Sequence, residues 1–490
     1  MRKQTVKNLL LALMIVPMMV SCKKTSDLNG VDMDTDIKVN EPAPVALHPN
    51  ATGTPVTITI EQNQQSYQVA GNFLGLSYET NNLLWSNNLN GKSNAQIQLI
   101  RNLGEGVLRV GGTSSGRMYW SDKAVSKGSK TDSITTTQID ALASFSKTLG
   151  WPVIFGLNLA KYEPEVQAKL AKYVSGSLGS SLMAFQAGNE PNAYGELGFR
   201  KQGYSYNDFQ GEWKAYFDAV RKLTPNAPFA GPDVIGGANW VSSFAGKYKN
   251  NVNLMTVHYY NNGPASDESI TYKTILEPDT KLGAYLDKVN DASAKNGLKY
   301  RLSECNSIFN GGGKAGVSDV FAASLWALDM MWTVAEHNGQ GVNFHSGSAQ
   351  NFTAIATVNG KTSARPVYYG MLAFKYGAVG GRVLNVKTAA TTVNQAAHAV
   401  VKNGTTAVTL INKGDKDILY TVRLTNNAST VTVARLTAPS ADATSGIAFG
   451  GSSADEKGNF AIASTESFNV NQKSFTIQVP AYSAAVVNVN

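Results

Sequence analysis

The sequence predicts an α/β chain: a (β/α)8 TIM barrel with a C-terminal antiparallel β-sandwich domain. Between about Tyr67 and Gly377, short apolar runs alternate with segments whose apolar residues recur at helical spacing, the pattern of repeated βα units around a parallel sheet. Eight such runs can be counted, the number a closed barrel needs. Past Gly380 the pattern changes to period-two alternation broken by turn signals, and helical spacing is lost.

Taken in order, the chain opens with Arg2, Lys3 and Lys7 ahead of an apolar stretch from Leu9 to Val20, which is of secretory-signal length and too short for a stable membrane-spanning helix. It ends in Met19-Val20-Ser21-Cys22, which resembles a bacterial lipobox. Residues 1–22 are therefore expected to be a lipoprotein signal peptide, with Cys22 acylated as a lipid anchor. That makes the mature protein a bacterial lipoprotein on the periplasmic or cell-surface side of a membrane. Residues 23–50 are polar, carry Pro42, Pro44 and Pro49, and read as a flexible tether. Residues 51–65 contain the alternating run Val56–Ile60 and should join the β-sandwich.

The catalytic barrel is placed at 66–378, with strands at Phe73–Tyr78, Gly106–Val110, Pro152–Leu157, Leu182–Ala187, Pro228–Gly231, Asn253–His258, Tyr300–Glu304 and Gly341–His345. Ile97, Ile100 and Leu103, then Ile139, Leu142, Phe145 and Leu149, mark intervening helices, and Phe321, Leu325, Leu328, Met331 and Trp332 a longer one. The β-sandwich, 379–490, should contain strands at Ala397–Lys402, Ala407–Asn412, Ile418–Leu424, Val431–Leu436, Phe475–Val479 and Ala484–Val489.

With Cys22 acylated only Cys305 remains, so no intramolecular disulfide can form and the fold must hold by core burial. Formal charge is +8, and +5 once the three basic residues of the signal are removed. No long Lys/Arg run concentrates that excess, which argues against a nucleic-acid partner and is compatible with an anionic polysaccharide. Histidines at 48, 258, 337, 345 and 398 lack paired ligand spacing, so no metal is expected. Gly111-Gly112 and Gly311-Gly312-Gly313 continue neither as a P-loop nor as a dinucleotide fingerprint, and no organic cofactor is expected.

Two strings carry the chemistry: Gly188-Asn189-Glu190-Pro191 after the fourth strand and Ser303-Glu304-Cys305-Asn306 at the end of the seventh. A glutamate at the C-terminal end of a barrel strand lies where such barrels keep their active sites. A pair of them suggests glycoside hydrolysis, which needs one acid and one nucleophile or base across the scissile bond. Cys305, next to Glu304 on a strand, should point the opposite way and serve as a small buried filler.

Six motifs together resemble clan A glycoside hydrolases, and within them family 79, the heparanase and β-glucuronidase family. They are Phe73-Leu74-Gly75-Leu76-Ser77-Tyr78-Glu79, Leu108-Arg109-Val110-Gly111-Gly112, Gly188-Asn189-Glu190-Pro191-Asn192, His258-Tyr259-Tyr260, Ser303-Glu304-Cys305-Asn306-Ser307, and Gly311-Gly312-Gly313 leading to Ser318-Asp319-Val320-Phe321-Ala322-Ala323. The resemblance implies that Glu190 is the general acid and then base and Glu304 the nucleophile. Glu190 must then hold a proton while hydrogen bonds and cations keep Glu304 ionised. Asn189 would bond the sugar 2-hydroxyl, Arg109 would prop the nucleophile, and His258 and Tyr260 would orient Glu304 or touch the sugar. Glu79, Asn306, Gly311 and Gly312 complete the implied substrate-binding set.

In the family the loop after the nucleophile receives the uronic acid carboxylate. Here that loop reads Ile308-Phe309-Asn310-Gly311-Gly312-Gly313, and Phe309-Asn310 depart from the tyrosine and glycine that heparanase-like members carry. Backbone N–H groups of the glycines, with Lys314 adding charge, remain able to face an anion. The implied activity is retaining hydrolysis of β-linked glucuronic acid from a polysaccharide, glycosaminoglycan or glycoconjugate by double displacement. Two alternatives stay open: a clan A β-glycosidase or xylanase acting on neutral sugars, and an inactive carbohydrate-binding lipoprotein.

Overall fold

The computed structural model describes residues 42–85, 88–122, 133–347 and 350–490. The expected signal peptide, Cys22 and most of the expected tether lie outside them. Among the described residues no helix is long and apolar enough to cross a membrane.

Eight parallel strands close into a barrel in chain order: Gly75–Glu79, Val107–Gly111, Val153–Leu157, Leu182–Ala187, Phe229–Ile235, Leu254–Asn262, Tyr300–Ile308 and Val342–Ser346, the last pairing with the first. Every run expected from the sequence is a strand. Their residues are buried on both faces, as a parallel sheet covered by helices requires; all nine residues of the seventh strand are buried.

Local signals set the helix ends. The helix Thr136–Leu149 opens with a Thr135/Gln138 capping box, buries Ile139, Leu142 and Phe145, and stops at Gly150 with φ 72°. The helix Ala322–Glu336 is buried on nearly all sides, because the β domain covers the face that water would otherwise reach. There Asp329 and Glu336 bind His398, and Asp329 also binds Lys413.

At the opposite end from the motif-bearing loops, Arg301 is fully buried without a carboxylate partner. Its guanidinium instead donates to the side chain of Asn343 and to the carbonyls of Asn72, Phe73, Leu74, Gln340 and Val342, stitching the first and eighth strands to the seventh. Gly75 and Gly341 leave the room; a Cβ at either would collide with that guanidinium.

The C-terminal domain departs from the expectation in several ways. The runs Ile418–Leu424 and Val431–Leu436 are halves of one strand, Ile418–Thr437. Its first half pairs with Thr54–Gln68 and its second with Ser483–Val489, so a nine-stranded sheet folds back on itself around an apolar interior of residues such as Ile58, Val408, Tyr420 and Phe475. The sheet is also mixed, since residues 54–60 run parallel to 418–424. Finally, Val45–Ala46, expected within the tether, pairs with Phe475–Thr476, and Leu47 is buried behind it. Arg382–Thr388, a strand not foreseen, pairs with Thr54–Gln68, which itself runs past the expected end at residue 65.

Two irregularities in the barrel aim the functional side chains. Opposite the sixth strand, Pro232 pairs with Thr256 and Val234 with Val257, so Asp233 is bulged, with φ 61°. Between the sixth and seventh strands, Leu302 pairs with Val257 and Glu304 with His258, which bulges Ser303. Each bulge turns a polar residue inward at the C-terminal end of its strand.

Candidate active site

The fourth strand ends at Ala187, and the chain then reverses sharply through Gly188. A Cβ at Gly188 would press on the Tyr194 hydroxyl and Leu159, and its φ of 94° suits glycine. Glu190 follows in the left-handed region (φ 49°, ψ 51°), held by its N–H to the carbonyl of Asp233 at 2.8 Å, and Pro191 starts a short 3-10 turn. A non-glycine residue held at positive φ stores of order 1 kcal/mol or more, and such strain gathers at functional sites.

Across the barrel mouth, Glu304 is gripped on both oxygens: Nη1 of Arg109 donates to Oε2 at 2.5 Å, and the Tyr260 hydroxyl to Oε1 at 2.8 Å. Burial would raise the Glu304 carboxyl, but His345, His258 and Arg109 outweigh it and hold the group well below the usual carboxylate range. Burial and the adjacent carboxylates keep the Tyr260 phenol protonated, and so a donor.

Arg109 spends its other donors on Asn189 Oδ1 (2.7 Å), Asp233 Oδ2 (2.7 Å), Gln186 Oε1 (3.1 Å) and the Ser77 hydroxyl (3.2 Å). Asp233 in turn accepts from the Ser303 hydroxyl at 2.7 Å, from Gln186, and from Nε2 of His258 at 3.0 Å. The other ring nitrogen of His258, Nδ1, lies 2.9 Å from Oε1 of Glu190. Burial opposes charge on His258, but Asp233 and Glu304 overcome it and raise the imidazole to about 10. At neutral pH it is an imidazolium with one N–H for Glu190 and one for Asp233.

On the far flank, His345 stands between Glu304 (3.7 Å) and Glu79 (3.5 Å), with the Ser77 hydroxyl at 3.1 Å. Burial would raise the Glu79 carboxyl, but His345 above all keeps it below its ordinary value, and the Ser114 N–H donates to its Oε2 at 2.7 Å. Gly112 is bare because a Cβ there would run into the Glu79 carboxylate.

A cleft of about 320 Å³ opens over these groups, lined by Glu79, Glu190, Tyr260, Glu304, Gly311 and Gly312 of the expected set. Arg109 and His258 lie beneath it, fully buried, and act through the carboxylates. Two expectations are corrected. Asn306 does not face the cleft, because its amide nitrogen is spent on the carbonyls of His345 and Phe352 and it is wholly buried. Lys314 is turned away to the carbonyl of Asp267, at 2.5 Å, and does not line the cleft. Cys305 points into the core, where burial pushes its thiol far up and leaves it inert.

The sequence reading missed Asp233, Gln186 and His345. Only Asp233 had a usable signal, Gly231-Pro232-Asp233 at the end of a strand. One oxygen of Glu190, one of Glu304 and a ring nitrogen of His258 lie within 4.8 Å of one another, a spacing a metal ion would accept. Those donors are already committed, however: Glu304 to Arg109 and Tyr260, and His258 to Asp233 and Glu190, and Arg109 supplies the charge a cation would bring.

A (β/α)8 barrel with paired glutamates at the ends of strands four and seven has the architecture of the clan A glycoside hydrolases. Residues 76–332 match the N-terminal domain of glycosyl hydrolase family 79, and residues 382–486 match that family's C-terminal β domain. The chain belongs to glycosyl hydrolase family 79. It is 27% identical over 355 residues to a β-glucuronidase of Aspergillus niger, covering 63% of this chain and 65% of that protein. To heparanase-like protein 3 of Arabidopsis thaliana it is 25% identical over 257 residues, 48% of this chain and 46% of the relative. The matches thus span less than two thirds of either relative.

Among solved structures, the 4-O-α-L-rhamnosyl-β-D-glucuronidase of Fusarium oxysporum shares the fold with a TM-score of 0.74 at 19% identity, over 88% of this chain and 99% of that one. A GH51 arabinofuranosidase of Xanthomonas axonopodis pv. citri does so at 0.67 and 15% identity, over 89% and 100%.

Proposed function

We propose that this protein is a retaining β-glucuronidase in which Glu304 is the nucleophile and Glu190 the acid and then the base. The observation that carries the reading is the approach of the two carboxylates, whose oxygens come within 4.8 Å. Retaining glycosidases hold the pair about 5–5.5 Å apart, whereas inverting ones leave about 6.5–9.5 Å for a water.

In the first step an oxygen of Glu304 bonds to C1 as the glycosidic C–O bond breaks, and the proton of Glu190 passes to the departing oxygen. In the second, water gives a proton to Glu190 while its oxygen bonds to C1, and Glu304 leaves as a carboxylate. Arg109 and Tyr260 fix Glu304 for attack and stabilise it on departure. Arg109 fixes Asn189 beside Glu190 through its Oδ1, and the family resemblance implies that the amide N–H groups of Asn189 serve the sugar 2-hydroxyl.

Support for a uronic acid comes from the loop after the nucleophile. Asn310, Gly311, Gly312 and Gly313 all have positive φ, 60°, 67°, 71° and 83°, and the first three line the cleft. Backbone of this kind can come close to a ligand, and among the described residues the N–H groups of Asn310, Gly311 and Gly312 have no backbone partner. The resemblance to a β-glucuronidase agrees with this. Such donors would face a hydroxymethyl group in a glucoside, so kcat/KM for nitrophenyl β-glucuronide should exceed that for the β-glucoside by about 10²-fold. Comparable values would move the substrate to a neutral sugar.

The reading extends to anchoring through Cys22, supported by the lipobox-like Val20-Ser21-Cys22. A Cys22→Ala protein should fail to partition with membranes, and an unmodified Cys22 in the membrane-bound protein, seen by mass spectrometry, would refute anchoring there.

A further inference from the structure

Residues that follow the eighth strand grip the glycine loop. The Phe352 N–H donates to the Gly312 carbonyl at 3.2 Å, and Nδ2 of Asn351 to the Gly313 carbonyl at 3.3 Å. Asn306 ties the same residues to the nucleophile's strand, its amide nitrogen donating to the carbonyls of His345 at 2.8 Å and Phe352 at 3.2 Å. Asn306, expected to touch the sugar, thus acts at one remove, anchoring the residues that hold the loop. Asn310 to Gly313 all lie at positive φ and three of them are glycine, so the backbone has little stiffness of its own. Its course over the cleft is set by that grip.

Gln350 stands where the two segments meet and lines the cleft beside Gly311 and Gly312. Its stem lies over Gly312, where a Cβ would come within 2.8 Å of Cγ, 3.1 Å of Cβ and 3.4 Å of Cδ. Its Oε1 is buried without a hydrogen-bond partner against Gly347, where a Cβ would come within 2.6 Å of that oxygen. A buried polar atom left unpaired opposes folding, and native proteins that keep one usually gain something by it. With the oxygen enclosed, the NH2 group is the end of the amide left for the cleft. A carboxylate there offers about four acceptor positions, more than the Gly311 and Gly312 N–H groups can fill. Phe309 adds no donor, since it carries no hydroxyl and its ring packs against Gly263.

We infer that Gln350 is a specificity-determining residue of the uronate site: its NH2 group donates to the sugar carboxylate alongside the Gly311 and Gly312 N–H groups, in place of the tyrosine hydroxyl that Phe309 lacks. The inference rests on the glucuronidase reading above and deepens it, dividing the carboxylate between the loops after strands seven and eight.

The test is kcat/KM of Gln350→Ala and Gln350→Glu on nitrophenyl β-glucuronide and β-glucoside. The alanine variant loses a hydrogen bond to a charged group, so its glucuronide-to-glucoside ratio should fall about tenfold, mainly through KM for the glucuronide. Gln350→Glu keeps the stem over Gly312 but sets a carboxylate against the substrate's own, so its ratio should fall further, by about 10²-fold. A residue that only packed over Gly312 would give the reverse order, because glutamate preserves the packing and alanine does not. A fall in the alanine variant equal to or larger than that in the glutamate variant, or an unchanged ratio in both, would overturn the inference and leave the glucuronidase reading intact. If the unmodified enzyme used the two substrates equally, that reading would fall, and this inference with it.

Discussion

Asp233 and Arg109 form a buried ion pair, Oδ2 to Nη2 at 2.7 Å, through which both candidate catalytic glutamates are connected. The same guanidinium holds Glu304, and the other oxygen of Asp233 holds the His258 ring that reaches Glu190. Asp233→Asn preserves shape but removes the charge that orients both groups. It should lower kcat by about 10²-fold or more with a smaller change in KM, as expected when the aim of the reacting groups is lost and substrate binding is kept. It should also let His258 fall from about 10, so the imidazolium is lost earlier as pH rises and the alkaline limb of kcat moves to lower pH. Wild-type kcat with an unmoved alkaline limb would contradict the positioning role.

The assignment of the two glutamates is tested by asymmetry. Glu304→Ala should abolish turnover, and azide should restore a product of inverted configuration. Glu190→Ala should keep appreciable activity on substrates with good leaving groups, which need little protonation. Equal loss in both variants on every substrate would contradict the roles.

Stability should depend on pH with a definite sign. Asp233 and Asp329 are both held low in the fold, where the charges of Arg109 and Lys413 outweigh burial, so their contribution is present above about pH 4 and lost as pH falls below it. Despite burial, His258 and His398 are raised to about 10 and about 9 by neighbouring carboxylates. Their contribution is complete below about 6.5 and is lost as pH rises through the folded values. Urea unfolding should therefore give its highest free energy between about pH 4 and 6.5, with a decline toward pH 10. A profile flat from 6.5 to 10 would refute the buried imidazolium ions.

Arg301 offers a test away from the chemistry. In Arg301→Met, five carbonyls and the Asn343 side chain at the base of the barrel lose their donor. Each unpaired buried group costs about 1–3 kcal/mol, so even with partial relaxation the variant should be about 3 kcal/mol or more less stable in urea. A loss under about 1 kcal/mol would mean that those carbonyls find water.

Much of the barrel was legible because parallel strands buried on both faces leave short apolar runs, and the runs ending near Glu190 and Glu304 stand out for that reason. The expected fifth strand stops at Gly231, where the apolar run gives way to Pro232-Asp233. In the fold the strand continues to Ile235 by bulging Asp233 inward, and one of the most connected carboxylates of the site was thereby lost to the reading. His345 stands alone in the sequence, and only barrel closure brings the eighth strand beside the first, a proximity that linear spacing cannot carry. Polar Asn426 and Asn427 interrupt the apolar alternation between Ile418–Leu424 and Val431–Leu436, whereas the strand Ile418–Thr437 runs through them to join both ends of one sheet.

The most direct test of the proposed double displacement on a β-glucuronide is the anomeric configuration of the first product, followed by proton NMR of nitrophenyl β-glucuronide hydrolysis before mutarotation. Carboxylates whose oxygens come within 4.8 Å should release β-glucuronic acid first, with the α-anomer growing in later. Initial release of the α-anomer would contradict nucleophilic attack by Glu304.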